Sequence, residues 1–496
     1  MNKPHASGSR KLNGRNNKIM KIVMKFGGTS VGDGKRIRHV AELAKSYYDK
    51  GDQVVLVTSA LAGVTDQLLD AAAAGYENGK VTLVTEFITA LKQQHFAAAG
   101  EAIDDEKIKA EVVSFLTNCM DELEKALIGI CYLGELTLRS RDNISSYGER
   151  LAAPIVSGAL RSMGVDSKDY TGGEAGIITT DAFGGAKPLS KSYDLIHKKL
   201  TPGLKKSIQV VTGFIGVNEE GTVTTLGRSG SDYTASIIGV GIQADEIWLW
   251  KEVDGIMTAN PKVVPSARTI HFISYQEAME LSSLGAEVLH PKAIEPSMMH
   301  NIPVRVKSTF KPDFDGTLVI TESRKSKNVV KAVSMIKKVS LINVSSPEMV
   351  DSVGKLAVIF SILANKKVGV RLVSQGSESS ISFIVNEADR AKTVKALKAE
   401  LGEAYTVDYR SDVSVVAVVG AGMAGTPGVA RRVFTALGKE NISIIMISQG
   451  SSEYNISCVV SSAEVSTAVV ALHAEFELDK LDAESKLENE KETRKK

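Results

Sequence analysis

A chain of 496 residues with 43% hydrophobic and 24% charged content carries enough apolar side chains for two or three separate cores. Its formal charge of +2 gives no general attraction for nucleic acid, and no apolar run nears the ~20 residues that span a bilayer. Cys119, Cys131 and Cys458 are scattered without CxxC spacing, and the N-terminus lacks an apolar signal core, so a reducing cytoplasm is expected.

Residues 1–18 are polar and basic with no apolar period, which predicts a disordered tail; Met20, just before the first strand, is an alternative start. The stretch "KIVMKF" reads as a strand. It is followed by "RIRHVAELAKSYY", where Ile37, Val40, Leu43, Ala44 and Tyr47 share one helical face, and then by the strand "VVLVT". That is a βαβ unit. Residues 80–140 read as mainly helical, and the strand–helix alternation returns in "SIQVVTGFIG", the helix after "GRSGSD", and "EIWLW". Residues 19–325 are therefore expected to form one α/β domain, a mostly parallel central sheet with helices on both faces.

From about Ser334 the pattern shortens and repeats: "VRLVSQGSESSISFIV" returns as "IIMISQGSSEYNISCVV", each copy preceded by a helix-forming stretch. Two ferredoxin-like βαββαβ domains are expected, at 334–405 and 413–476. Residues 479–496, dense in both charge signs, read as a flexible tail.

The first chemical signal is "KFGGTSVG" at the end of the first strand. Glycines there let backbone amides close on an anion, and Lys25 adds the charge that steadies a phosphoryl group. No G-x-x-x-x-G-K-[ST] occurs, which excludes a P-loop. In "TTLGRSGSDYTAS", Arg228 can grip a carboxylate bidentately, while Ser231 and Asp232 open a helix and Asp232 can meet an ammonium. Together they suit an amino acid. The "GAGMAG" at 420–425 matches the dinucleotide fingerprint, but the next strand ends in Ser448 and Gln449 instead of an acidic residue, so a helix-entry loop is expected. His39, His95, His271, His290 and His300 show no metal-ligand spacing, and no metal ligand is assigned.

The ordered blocks "KFGGTSVG", "VTSALAGVTD", "SYGERLAA", "GRSGSDYTA", "KEVDGIMTANPK" and "LHPKAIEP" resemble those of aspartate kinases, and the C-terminal repeat resembles paired ACT domains. The resemblance implies the amino-acid-kinase fold, ATP with Mg²⁺ as donor, and L-aspartate as acceptor. It implies that Lys25 and Lys292 serve the transferred phosphoryl group, with Gly27, Gly28, Thr29 and Ser30 supplying amides and hydroxyls. Ser59, Thr65, Glu149, Arg228, Ser231 and Asp232 would bind the substrate. Glu149 enters only through the resemblance, since spacing alone makes it an exposed helix glutamate. The nucleotide loop departs from the family pattern: Lys251 and Glu252 replace Thr-Asp, Met257 stands where tyrosine is common, Asn260 replaces Asp, and Lys262 replaces Arg. A lysine keeps the charge of Lys262 but loses the guanidinium fork.

Gln375 and Gln449 stand at matching places in the repeat, 74 positions apart, and resemble threonine-sensitive relatives more than lysine-sensitive ones. The expected regulation is inhibition by threonine, with lysine the alternative, in a homodimer or homotetramer joined through the ACT domains. No nucleic acid or membrane partner and no fused homoserine dehydrogenase are expected. Competing readings are another small-molecule kinase of the same fold, acting on glutamate, acetylglutamate or a nucleoside monophosphate, and a non-catalytic amino-acid sensor.

Overall fold

In the computed structural model, residues 19–480 are described apart from 287, 322–328 and 351–353. Both expected tails, 1–18 and all of 479–496 beyond its first two residues, lie outside the described residues. Strand β1 (Lys21–Phe26) sends Ile22, Met24 and Phe26 into one core and Val23 into another, the period of two that a strand imposes. Helix α1 (Gly34–Tyr48) is capped by the Asp33 carboxylate, which accepts from the Arg36 amide. It buries Ile37, Val40, Leu43, Ala44 and Tyr47, the face that the spacing predicts.

Strand β2 (Gln53–Thr58) lies parallel to β1, and α2 (Val64–Asn78), α3 (Val81–Ala102), α4 (Glu106–Leu133) and α5 (Leu138–Ser162) cover the first face with α1. The chain then runs through β3 (Ser167–Tyr170), α6 (Lys191–Leu200), β4 (Ile208–Thr212) and a hairpin of β5 (Ile215–Val217) and β6 (Val223–Thr225). Helix α7 (Gly230–Ile242), β7 (Glu246–Lys251), β8 (Phe272–Ser274), α8 (Tyr275–Ser283), α9 (Pro291–Met299), β9 (Val304–Ser308) and β10 (Thr317–Ile320) complete the domain. Helices α6 to α9 cover the second face. The strand order is β3-β4-β2-β1-β7-β9-β10-β8, parallel except where β10 meets β9. Since β2 lies on one side of β1 and β7 on the other, the order reverses there. Such a reversal leaves a crevice outside the carboxyl ends of the strands.

The C-terminal region comprises β11 (Ala332–Ser345), α10 (Lys355–Asn365), β12 (Val370–Ser377), β13 (Ser380–Asn386), α11 (Arg390–Leu401), β14 (Thr406–Val419), α12 (Val429–Lys439), β15 (Met446–Ser448), β16 (Asn455–Ser461) and α13 (Val465–Glu475). Its strands form one antiparallel sheet, ordered β12-β13-β11-β14-β16-β15. The two copies exchange strands. Residues 332–336 of β11 pair with 415–419 of β14, while 339–345 pair with 406–413. The second copy thus takes a strand from ahead of the first, which the linear division at 334–405 and 413–476 does not describe.

The glycine-rich 420–425 segment is a short turn leading toward α12, and it carries a carboxylate from its own chain. The Ala421 amide donates to Glu277 Oε1 at 2.7 Å. Glu277 is fully buried, closes a capping box with Ser274 at the start of α8, and holds Lys331 Nζ at 2.8 Å. Helix α8 is thereby locked to the C-terminal sheet. Among the described residues no helix is long and apolar enough to cross a membrane.

Candidate active site

Strand parity decides what Lys25 meets. It shares the face of Val23, so its side chain leaves β1 toward the core that contains α7. On β7, Ile247 and Leu249 enter that same core, and Leu249 is the register partner of Lys25. Lys251, two residues on, therefore emerges beside Lys25. Helix α7 starts at this place, entered through Ser229 at φ +57, with Asp232 in its first turn.

The three side chains converge. Lys25 Nζ lies 2.6 Å from Asp232 Oδ1 as a charge contact outside hydrogen-bond alignment, and Lys251 Nζ donates to Oδ2 at 2.8 Å. Asp232 is 4% exposed and Lys25 8%. Burial works to raise the Asp232 carboxyl, but the two ammonium groups outweigh it and hold it well below the usual carboxylate range. Burial also lowers the Lys25 ammonium, against the pull of Asp232 in the other direction. The cluster carries one negative charge between two positive ones.

Facing it is Glu149, on α5. Gly148 allows this approach, because a Cβ there would come within 2.7 Å of Ala60 Cβ. Glu149 is 3% exposed and its Oε2 has no hydrogen-bond partner. Burial pushes its carboxyl up to about 8, opposed by the Ala60 backbone, its own backbone and Lys25. The carboxyl thus keeps one unpartnered oxygen beside a cavity, an arrangement suited to receiving a cation. The cavity, of about 390 Å³, is lined by Lys25, Gly28, Ser59, Thr65, Glu149, Ser231, Asp232 and Lys251 among others.

Other expected site residues stand differently. Arg228 is exposed and lines a larger cleft that adjoins this cavity. Gly27 precedes the short turn at 28–31, and Thr29 is exposed with its carbonyl accepting from Arg36 at 2.6 Å. Ser30 is buried, its hydroxyl bonded to that of Thr309 at 2.8 Å, so it ties the 28–31 turn to the residue that follows β9. Lys292 sits at the start of α9 with Nζ 3.4 Å from the Leu226 carbonyl and 5.5 Å from the Tyr233 ring. Glu252 and Lys262 are exposed, and Met257 packs against the core of the second C-terminal copy. Gln375 lies on β12 and Gln449 just past β15, both exposed; these outer strands meet where Ser448 Oγ donates to the Val373 carbonyl at 3.1 Å.

Asp66, Phe214 and Ser229 also line the cavity, and the sequence motifs do not single them out. Phe214, at φ +68, follows the end of β4 within "TGFIG", where a bulky residue between glycines is the available signal.

Residues 20–308 match the Amino acid kinase family, and 342–401 and 416–476 match the ACT domain. Aspartokinase 3, chloroplastic, of Arabidopsis thaliana is 34% identical over 491 residues, covering 97% of this chain and 86% of that protein. Aspartokinase 2 of Bacillus subtilis is 32% identical over 465 residues, covering 92% of this chain and 98% of its own. Among solved structures, E. coli aspartokinase III in complex with lysine and aspartate is similar with a TM-score of 0.77 at 29% identity, covering 92% of this chain and 99% of that one. The same enzyme in complex with aspartate and ADP gives 0.74. With its parallel-sheet catalytic domain and two ACT repeats, this chain belongs to the aspartokinases of the amino acid kinase family.

Proposed function

We propose that the enzyme transfers the γ-phosphoryl group of Mg-ATP to the β-carboxylate of L-aspartate, in the cytoplasm, as the first step toward lysine, threonine and methionine. The observation that carries the reading is the buried Lys25–Asp232–Lys251 cluster facing the unpartnered Glu149 Oε2 across one cavity. A small substrate with one ammonium and two carboxylates matches these charges. Glu149 receives the α-ammonium, Arg228 takes the α-carboxylate, and Ser59, Thr65 and Ser231 supply hydroxyls around the acceptor.

Two anions must be brought together, so positioning and opposing charge do most of the catalysis. The acceptor carboxylate, which ordinarily titrates at ~3.9, is ionised at neutral pH and needs no general base. Its oxygen forms the new bond to phosphorus while the bond from phosphorus to the bridging oxygen of ADP breaks, and ADP leaves with that electron pair. Lys25 and Lys251 offset the charge of the transferring group, and Asp232 fixes both ammonium groups in place. Helix α7 begins at the cavity, with Gly230 and Ser231 in its lining, and a helix N-terminus favours an anion there. These residues fit a phosphate group. Among the described residues no three His, Cys, Asp or Glu side chains gather as metal ligands. Mg²⁺ arriving with the nucleotide would neutralise phosphate oxygens, while Lys25, Lys251 and Lys292 serve the remainder.

The meeting of β12 and β15 near Gln375 and Gln449 supports an effector site at that seam, with threonine as the effector in a homodimer or homotetramer. The test is ADP release with Mg-ATP and L-aspartate or L-glutamate, each with millimolar threonine or lysine. Aspartate-dependent release lowered by threonine supports the reading. Release driven equally by glutamate overturns the acceptor, and inhibition by lysine alone overturns the effector.

A further inference from the structure

The catalytic cavity opens into a cleft of about 900 Å³, and the two share Ser229, Asp232 and Lys251. One wall of the cleft is catalytic and includes Arg228 and His290. The opposite wall is the regulatory sheet, which contributes Lys337, Lys338 and Arg371.

Those lysines occupy a place where β11 departs from regular pairing. Its register with β14 slips between Ile336 and Val339, and Lys338 adopts φ +58, a left-handed conformation that a lysine rarely takes. Backbone strain of this kind persists where the surrounding structure imposes it, and it clusters at functional sites. The bulge directs two consecutive lysines to a region that an ordinary strand would reach with one of them. Both are exposed, and neither forms an ion pair with any described residue.

Among the described residues that line the cleft, both acidic side chains are already committed. Asp232 holds Lys25 and Lys251, and Glu387 is held by Arg390 at 2.8 Å and by Ser340. The Arg371 guanidinium is steadied by Asn386 Oδ1 at 3.2 Å and 3.3 Å. Among the described lining residues, Lys337, Lys338 and Arg371 therefore face, without a committed carboxylate, a space continuous with the Lys25–Asp232–Lys251 cavity. The inner cavity, less than half the size, suits the small acceptor; the larger anion of the reaction is the nucleotide. We propose that Lys337 and Lys338 bind the polyphosphate of the nucleotide, making the regulatory sheet part of the donor site. The inference rests on the kinase reading and extends it to residues outside the catalytic domain. Because the bulge lies where β11 passes from one ACT copy to the other, any rotation of the copies moves these lysines relative to the phosphates.

The test is calorimetric titration of the full-length protein, without acceptor, using adenosine, Mg-ADP and the non-hydrolysable Mg-AMP-PNP. Wild type is compared with Lys337→Gln/Lys338→Gln and Lys337→Arg/Lys338→Arg. Loss of two partly exposed ion pairs should weaken AMP-PNP binding about tenfold and ADP binding less. Adenosine should bind unchanged, the arginine variant should retain wild-type affinity, and added salt should narrow the difference. Equal AMP-PNP affinity in wild type and the glutamine variant overturns the proposal, as does an equal loss for adenosine, which marks a structural effect. A wild-type enzyme that binds AMP-PNP with this lysine dependence yet phosphorylates no aspartate refutes the acceptor assignment and leaves the donor-site proposal standing.

Discussion

Glu149 is the residue on which sequence and structure differ most. Its spacing makes it a solvated helix glutamate, and only the "SYGERLAA" resemblance gives it a role; in the fold it is buried because Gly148 lets α5 close on Ala60. That close approach depends on the packing of distant segments, which no local pattern encodes. Lys25 and Asp232 were legible because a glycine loop and a helix start each require special residues. The bond from Lys251 to Asp232 was not, since it follows from the register of β7 against β1. With its carboxyl pushed up to about 8, Glu149 is protonated in the free enzyme at neutral pH, and an arriving ammonium favours its ionisation. Aspartate binding at pH 7 should release about one proton, read by calorimetry in buffers of different ionisation enthalpy, and Glu149→Gln should abolish the release. Stability has a matching sign. The folded state keeps a proton that the unfolded chain loses above about 4.5, so stability conferred at low pH declines as pH rises toward about 8. Denaturant melts across that range should show a decline on the order of a few kcal/mol in wild type and a flatter profile in Glu149→Gln.

At the scale of elements, α8 joins the catalytic domain to its regulator. Glu277 is fully buried and satisfies Ser274, Lys331 and the Ala421 amide together. Glu277→Gln leaves Lys331 buried without its countercharge and should cost about 3–5 kcal/mol in urea unfolding. An unchanged midpoint would show that the pair bears little on stability. The amphipathic face of α1 and the alternation of β1 and β2 were readable because each element answers to its own period. The strand exchange between the ACT copies was not. A repeat reveals that two units share a topology, but β11 reads as one continuous run whose halves serve different units. The "KK" in "SMIKKVSL" is the visible interruption, and it marks the bulge.

For the whole molecule, the arrangement places the C-terminal ACT repeats in contact with the catalytic domain through α8 and across the larger cleft. An effector that alters the relation between the ACT copies thus has a direct route to the site, and coupling of about 1–3 kcal/mol changes affinity roughly 5–150-fold. Saturating threonine should weaken substrate binding within that range. In Glu277→Gln the shift should shrink, and an undiminished shift would place the coupling elsewhere.

The measurement that bears most directly on the central claim is trapping of the acyl phosphate with hydroxylamine in the presence of Mg-ATP, comparing wild type with Lys25→Ala. Hydroxamate should depend on L-aspartate and fall at least a hundredfold in the variant, on the order expected when a preorganised charge is removed from a developing anion. Folded wild-type protein that binds threonine or lysine but forms no hydroxamate would contradict it and identify the chain as an amino-acid sensor.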